Sequence, residues 1–191
     1  MSHSIHALRA RWRTATRAQV LDGGTFRYLC RERGWWVLGV MGYAGPFANP
    51  GVEDAAQTAL AEQLEQARQR HGDRLAVASG ATDAGVLALT YRWCARLGVT
   101  AIGITCEAGR RLPIAALDWL VPVGERFGDE SALFVDICSA FVVLGGGEQS
   151  RREAIGGRAQ DKPVTLIRGF GGAADALAEM QLPGATIVER G

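Results

Sequence analysis

The sequence predicts an α/β domain, a parallel sheet with helices on both faces. Short apolar runs alternate with amphipathic segments of helical period along most of the chain, the pattern of strand–helix–strand units. The runs are continuously apolar, as strands buried on both faces must be. Glycines are in excess, 25 among 191 residues against an average of about 7%. They gather just after the apolar runs, where a strand hands over to a loop.

The elements follow in order. Residues 1–34 are polar and hold seven arginines, so they read as an exposed lead-in, with a turn at Asp22-Gly23-Gly24. The domain proper then spans 35–191. Its first strand is 36–41, and the glycine-rich Gly42-Tyr43-Ala44-Gly45-Pro46 follows. Val52, Ala56, Ala59, Leu60, Leu64 and Ala67 recur at helical spacing over 52–70, and Gly72 sits where that helix should stop. The unit repeats as strand 75–78, loop 79–83, helix 84–97 closed by Gly98, and strand 99–105. A shorter strand, 117–123, contains Pro122, which limits its pairing. Helix 130–138, strand 141–144, a helix opening near Ser150, strand 164–167, helix 173–180 and a final strand at 186–188 complete the alternation. No linker or shift in composition divides the chain.

Composition excludes several function classes. Lys plus Arg number 21 against 20 Asp plus Glu, so bulk charge disfavours a nucleic-acid partner. No apolar run approaches the roughly 18 residues of a membrane span, and no secretory signal pattern opens the sequence. Cys30, Cys94, Cys106 and Cys138 are widely spaced, so neither a disulfide nor a metal site is expected and a cytoplasmic setting is. His3, His6 and His71 read as solvated, and the five tryptophans as core.

In a parallel sheet with right-handed crossovers the strand-to-helix loops share one edge, where ligands bind. Four glycine loops fall there. The sharpest is Gly145-Gly146-Gly147-Glu148-Gln149-Ser150, directly after strand 141–144. Its glycines let the backbone approach a ligand, and the next helix start offers free N–H groups and the positive end of a dipole. Ser150 either caps that helix or donates to a phosphate, and Glu153, three residues on, either closes a capping box or meets a sugar or acts as a base. Arg151 and Arg152 oppose the dipole in a first turn, a conflict that a bound anion would relieve. The other loops are Gly42-Tyr43-Ala44-Gly45, Ser79-Gly80-Ala81-Thr82 and Gly169-Phe170-Gly171-Gly172. Gly39, Gly42 and Gly45 give GxxGxxG, unlike the GxGxxG of dinucleotide sites. P-loop, HExxH and GxSxG motifs are absent from the sequence.

These loops resemble those of the Lonely Guy superfamily, also described as lysine-decarboxylase-like, which includes cytokinin-activating phosphoribohydrolases and molybdenum-cofactor carrier proteins. Residues 145–153 resemble its PGGxGTxxE pattern, with Gly146 and Gly147 on the paired glycines, Ser150 for threonine and Glu153 for glutamate. Residues 79–86 resemble its SGG segment and 42–45 its first phosphate-side loop. The likeness runs from about Trp35 to Met180. It departs at Gly145 for proline, at Gln149 for a glycine and at Glu130, where the hydrolases carry an arginine fifteen residues before the motif.

The resemblance implies a three-layer Rossmann-like fold, commonly a homodimer. It further implies a site for a nucleoside monophosphate or related phosphorylated small molecule, needing no other cofactor. The residues expected to hold that ligand are Gly42, Tyr43, Gly45, Ser79, Gly80, Thr82, Gly145, Gly146, Gly147, Gln149, Ser150 and Arg151, with Glu153 in the catalytic position. With Glu130 in place of the arginine, the expectation is binding with weak or no hydrolysis. Nucleoside 5′-monophosphate phosphoribohydrolase activity and molybdenum-cofactor carriage are the alternatives; a more distant likeness is to the Rossmann unit of DNA-processing proteins.

Overall fold

The computed structural model describes Ala10, Trp12 and residues 16–190. Eight strands form one sheet: β1 (Gln19–Val20), β2 (Trp36–Gly42), β3 (Leu75–Gly80), β4 (Thr100–Thr105), β5 (Trp119–Pro122), β6 (Ala140–Leu144), β7 (Val164–Arg168) and β8 (Thr186–Glu189). Their order is β1-β5-β4-β3-β2-β6-β7-β8 and every pairing is parallel. The sheet is covered by the α-helices α1 (Gly23–Arg33), α2 (Pro50–His71), α3 (Gly85–Leu97), α4 (Ser131–Ile137), α5 (Glu148–Ala159) and α6 (Gly172–Glu179). Among the described residues no helix is long and apolar enough to cross a membrane.

The helices divide between two faces. Ala56, Leu60 and Leu64 of α2 and Leu87, Leu89 and Cys94 of α3 pack against Leu38, Val40, Val77 and Val142 on one side of the sheet. Phe26 of α1, Phe134 of α4, Ala154 of α5 and Leu177 of α6 pack with Met41, Ile102, Val143 and Leu166 on the other. Successive strand residues point to opposite faces, so continuously apolar strands feed both cores.

Local chemistry sets the boundaries. Asn49 accepts a hydrogen bond from the Val52 N–H and Pro50 stands in the first turn, which starts α2. Gly98 ends α3 at φ 60°, a left-handed cap that glycine adopts without a Cβ penalty.

Two expectations change at the N-terminal side. The segment read as an exposed lead-in supplies an edge strand and a helix, since β1 pairs with β5 and α1 buries Phe26 completely. Asp22, read as part of a turn, is the cap of α1: its Oδ1 accepts from the Thr25 N–H at 2.9 Å and its Oδ2 from the Thr25 hydroxyl at 2.6 Å. Trp12 is fully buried against Val20, Ala81 and Leu120. His3 and His6 lie outside the described residues, as do Arg9, Arg11 and Arg13. His71 stacks on Trp36 at 3.7 Å between ring centres.

Candidate functional site

The strand order locates the site. From β2 the chain proceeds to β3, β4 and β5 on one side of the sheet, then returns to β6 on the other side of β2 and continues outward to β7 and β8. Loops leaving β2 and β6 therefore diverge and open a crevice at the carboxyl ends of these strands, the topological switch point. A cavity of about 230 Å³ occupies it.

Close backbone contact builds its walls. At Gly42 an added Cβ would stand 2.5 Å from the Val86 Cβ and 2.8 Å from the Leu144 carbonyl oxygen, so only glycine lets β2, β6 and α3 meet. Gly145 and Gly146 have φ of 67° and 90°, in the region that favours glycine. That conformation turns their carbonyls toward α6, where Ala174 and Ala173 N–H groups donate to them at 3.0 and 2.8 Å. The chain then enters α5 through Gly147, which is extended and supplies no side-chain cap. The first-turn N–H groups of α5 thus lack an acceptor from their own cap, and Gly147, Gln149 and Ser150 at this helix start line the cavity.

Beneath that helix start is a buried polar network. The Gln149 Nε2 donates to Glu130 Oε1 at 3.0 Å, to Glu153 Oε1 at 2.9 Å and to the Ser131 Oγ at 3.3 Å. The Ser131 hydroxyl donates to Glu153 Oε1 at 2.6 Å, and the Gly128 N–H to Glu130 Oε2 at 2.9 Å. Glu130 and Glu153 are 6% and 7% exposed, so two carboxylates share a poorly hydrated site. Burial raises the Glu153 carboxyl above the ordinary carboxylate range; the Ser131 and Gln149 hydrogen bonds oppose that shift, and the Glu130 charge adds to it.

The structure gathers nine of the expected residues around the cavity. Gly42, Tyr43, Ser79, Gly80 and Thr82 line one side, Gly147, Gln149, Ser150 and Glu153 the other. Ser79 and Gly80 belong to β3 rather than a loop, and the buried Ser79 hydroxyl already donates to the Val40 carbonyl at 2.7 Å. Ser79 therefore supports the wall instead of offering a hydroxyl.

Four expected residues stand off the cavity. Gly145 and Gly146 shape it from behind. Gly45 lines an adjoining apolar groove of about 520 Å³ with Phe47, Val52, Val86 and Phe170, and Tyr43 forms the partition between the two. Arg151 lies along α5, 3.7 Å from Glu148 and 3.5 Å from the Met180 sulfur; it does not reach the cleft. The capping-box alternative for Ser150 and Glu153 also gives way, because α5 begins at Glu148 and Ser150 is already in its first turn.

Residue spacing missed Ser131, Thr105, Phe127 and Phe134, all of which touch the cleft or its network. They arrive from separate elements, and only the Glu130-Ser131 pair at a predicted helix start carried a local signal. No Lys, Arg or His side chain lines the cavity among the described residues, and no cluster of three or more His, Cys, Asp or Glu side chains suited to a metal occurs among them.

Cleft and topology together define a Rossmann-like α/β protein with an open crevice at its switch point. No family model matches the chain, and no curated protein matches its sequence. Solved structures do. The structural-genomics protein TM1055 superposes with a TM-score of 0.63 at 24% identity, covering 80% of this chain and 91% of that one. The molybdenum cofactor binding protein of the phototrophic bacterium Rippkaea orientalis gives 0.61 at 16% identity, over 81% and 89%. The molybdenum cofactor carrier protein of Chlamydomonas reinhardtii gives 0.56 at 19%, again over 81% and 89%. At these identities the shared property is the three-layer Rossmann-like fold, the fold that the likeness of residues 145–153 to the Lonely Guy superfamily implied.

Proposed function

We propose that this protein binds a nucleoside monophosphate or a related phosphorylated small molecule at the switch-point cleft, with weak or no hydrolysis. The observation that carries the reading is the pairing of two unlike surfaces in one cavity. The start of α5 presents uncapped N–H groups suited to a phosphate, and the interior beneath it is lined by hydrogen-bond acceptors. A cavity of about 230 Å³ is smaller than a typical drug-sized pocket of about 300–1,000 Å³. It suits one ring or sugar of the ligand, with the phosphate at the rim.

Weak hydrolysis follows from charge. Cleaving an N-glycosidic bond develops positive charge on the ribose, which a carboxylate stabilises, and Glu153 is the group placed for it. Burial works against the charge that this role uses, and the position that the resemblance makes an arginine holds Glu130 instead. Arg126, Arg151 and Arg152 do not line the cavity, and the Arg152 charge is the smallest of the influences on the Glu153 carboxyl. Molybdenum-cofactor carriage is a second reading, favoured by two fold neighbours whose names include that ligand and by the same uncapped helix start.

Calorimetry with nucleoside 5′-monophosphates and the matching nucleosides tests the first reading. Monophosphates are expected to bind at least about tenfold more tightly, since hydrogen bonds to a charged group are worth about 1.5–3 kcal/mol. Equal affinity for the nucleosides would remove the phosphate from the helix start. A turnover assay for released base completes the test: rapid release by the parent, abolished in Glu153→Gln, would make the protein a hydrolase. A phosphorylated pterin released from the purified protein on denaturation would favour the second reading.

A further inference from the structure

Glu130 is the residue at which this chain departs most sharply from the pattern it resembles, and the structure places it in the cleft. Its carboxylate is held from two sides, Oε2 by the Gly128 N–H and Oε1 by the Gln149 amide. Each carboxylate oxygen has two acceptor positions, so both keep capacity for a ligand. Glu153 Oε1 takes the Ser131 and Gln149 donors, while Oε2 takes none among the described residues. The interior is thus an acceptor surface. It is also apolar in part: Phe127 and Phe134 line the same cavity, with Met41, Leu87 and Ile104. Phe127 is 55% exposed although apolar, standing at the mouth.

A cation would satisfy two carboxylates, but the Gln149 N–H group already bridges them, and no third acidic or imidazole ligand joins them among the described residues. A sugar diol would satisfy one carboxylate, but its hydroxyls rotate freely and set no fixed side-by-side pair of donors. A planar ring that carries two adjacent N–H donors uses both features, because it packs against apolar walls and pairs side by side with a carboxylate.

We propose that Glu130 selects the base, and that the preferred ligand is a phosphorylated heterocycle with an amino group beside a ring N–H, the edge shared by guanine and pterins. This rests on the proposed phosphate reading and adds the identity of the ring. Adenine presents a ring-nitrogen acceptor at that edge, and hypoxanthine keeps the ring N–H but lacks the amino group. The order expected for the monophosphates is therefore guanosine, inosine, adenosine.

The test is calorimetry on the full chain with GMP, IMP, AMP, a phosphorylated pterin and ribose 5-phosphate, repeated on Glu130→Gln. GMP or the pterin should bind roughly 10- to 100-fold more tightly than AMP, the range expected for losing hydrogen bonds to a charged acceptor. Whichever of the two binds more tightly identifies the source of the edge. In Glu130→Gln the preference should shrink to within about twofold while ribose 5-phosphate binding persists, since this variant removes the charge and keeps the shape. Should that variant lose stability, the GMP-to-AMP ratio of the parent decides the matter alone. Equal binding of all bases, or preference for AMP, overturns the role of Glu130 and leaves the phosphate reading intact. Failure of every phosphorylated compound, ribose 5-phosphate included, overturns both.

Discussion

Glu153 shows how much one position can carry beyond its sequence context. A serine followed three residues later by a glutamate is the spacing of a capping box, and the same spacing serves a cleft; what separates them is where the helix starts. Extended Gly147 begins α5 three residues before Ser150, which carries Glu153 into the buried network. No local pattern encodes that, because its partners Ser131 and Glu130 come from the other side of a β-strand. The raised Glu153 carboxyl has a thermodynamic signature. Between the ordinary unfolded value and the raised folded one, the folded chain binds more protons, so stability falls as pH rises through that interval. Glu153→Gln should flatten the fall in melting temperature over that interval relative to the parent; parallel Tm–pH curves would show that Glu153 is not perturbed. Gly172 is a second test at this scale. At φ 63°, a Cβ there would lie 2.2 Å from the Gly146 carbonyl oxygen and 2.1 Å from the Tyr43 hydroxyl. Gly172→Ala should cost at least about 1–2 kcal/mol, a loss of about 2–8 °C in Tm.

Elements were the most legible level. The strand and helix limits read from apolar periodicity agree with the structure to within two residues at β2, β3, β4, β6, β7, α2, α3 and α6, because each is a sustained run ended by glycine, proline or a cap. The misses have physical causes. β1 has only two residues and α1 is rich in arginine, so neither shows an apolar period; the 3₁₀ turn at Glu107–Arg111 is set by contacts with the loop at 124–125 rather than by its own residues. The start of α5 offers the sharpest prediction about an element. Gly147 has φ −101° and open space where a Cβ would stand, so Gly147→Asp should fit without strain. An aspartate there caps the helix, worth a few tenths of a kcal/mol over glycine, and places a carboxylate where the phosphate would sit. Melting temperature should hold or rise while monophosphate binding disappears. Retained binding would move the phosphate elsewhere.

For the whole molecule, alternation in the sequence was enough for a parallel, two-faced sheet, yet it left the strand order open, since that depends on the return from β5 to β6 across three intervening strands. The expected boundary at residue 35 also reflects that limit: a polar segment can be integral when a few apolar side chains are fully buried. Phe26 is one, within 6.3 Å of Trp35 and 6.2 Å of Trp119 between ring centres. Phe26→Ala should destabilise the protein by about 3–5 kcal/mol and lower Tm by about 6–20 °C; a change within error would make α1 an appendage. The cavity wall, finally, bears on kinetics. With no cationic side chain among the described residues that line it, the cleft offers an anion neutral N–H groups rather than direct ion pairs. Occupancy should therefore respond less to ionic strength than at a site built on Lys or Arg ion pairs, and a salt titration of monophosphate binding checks this.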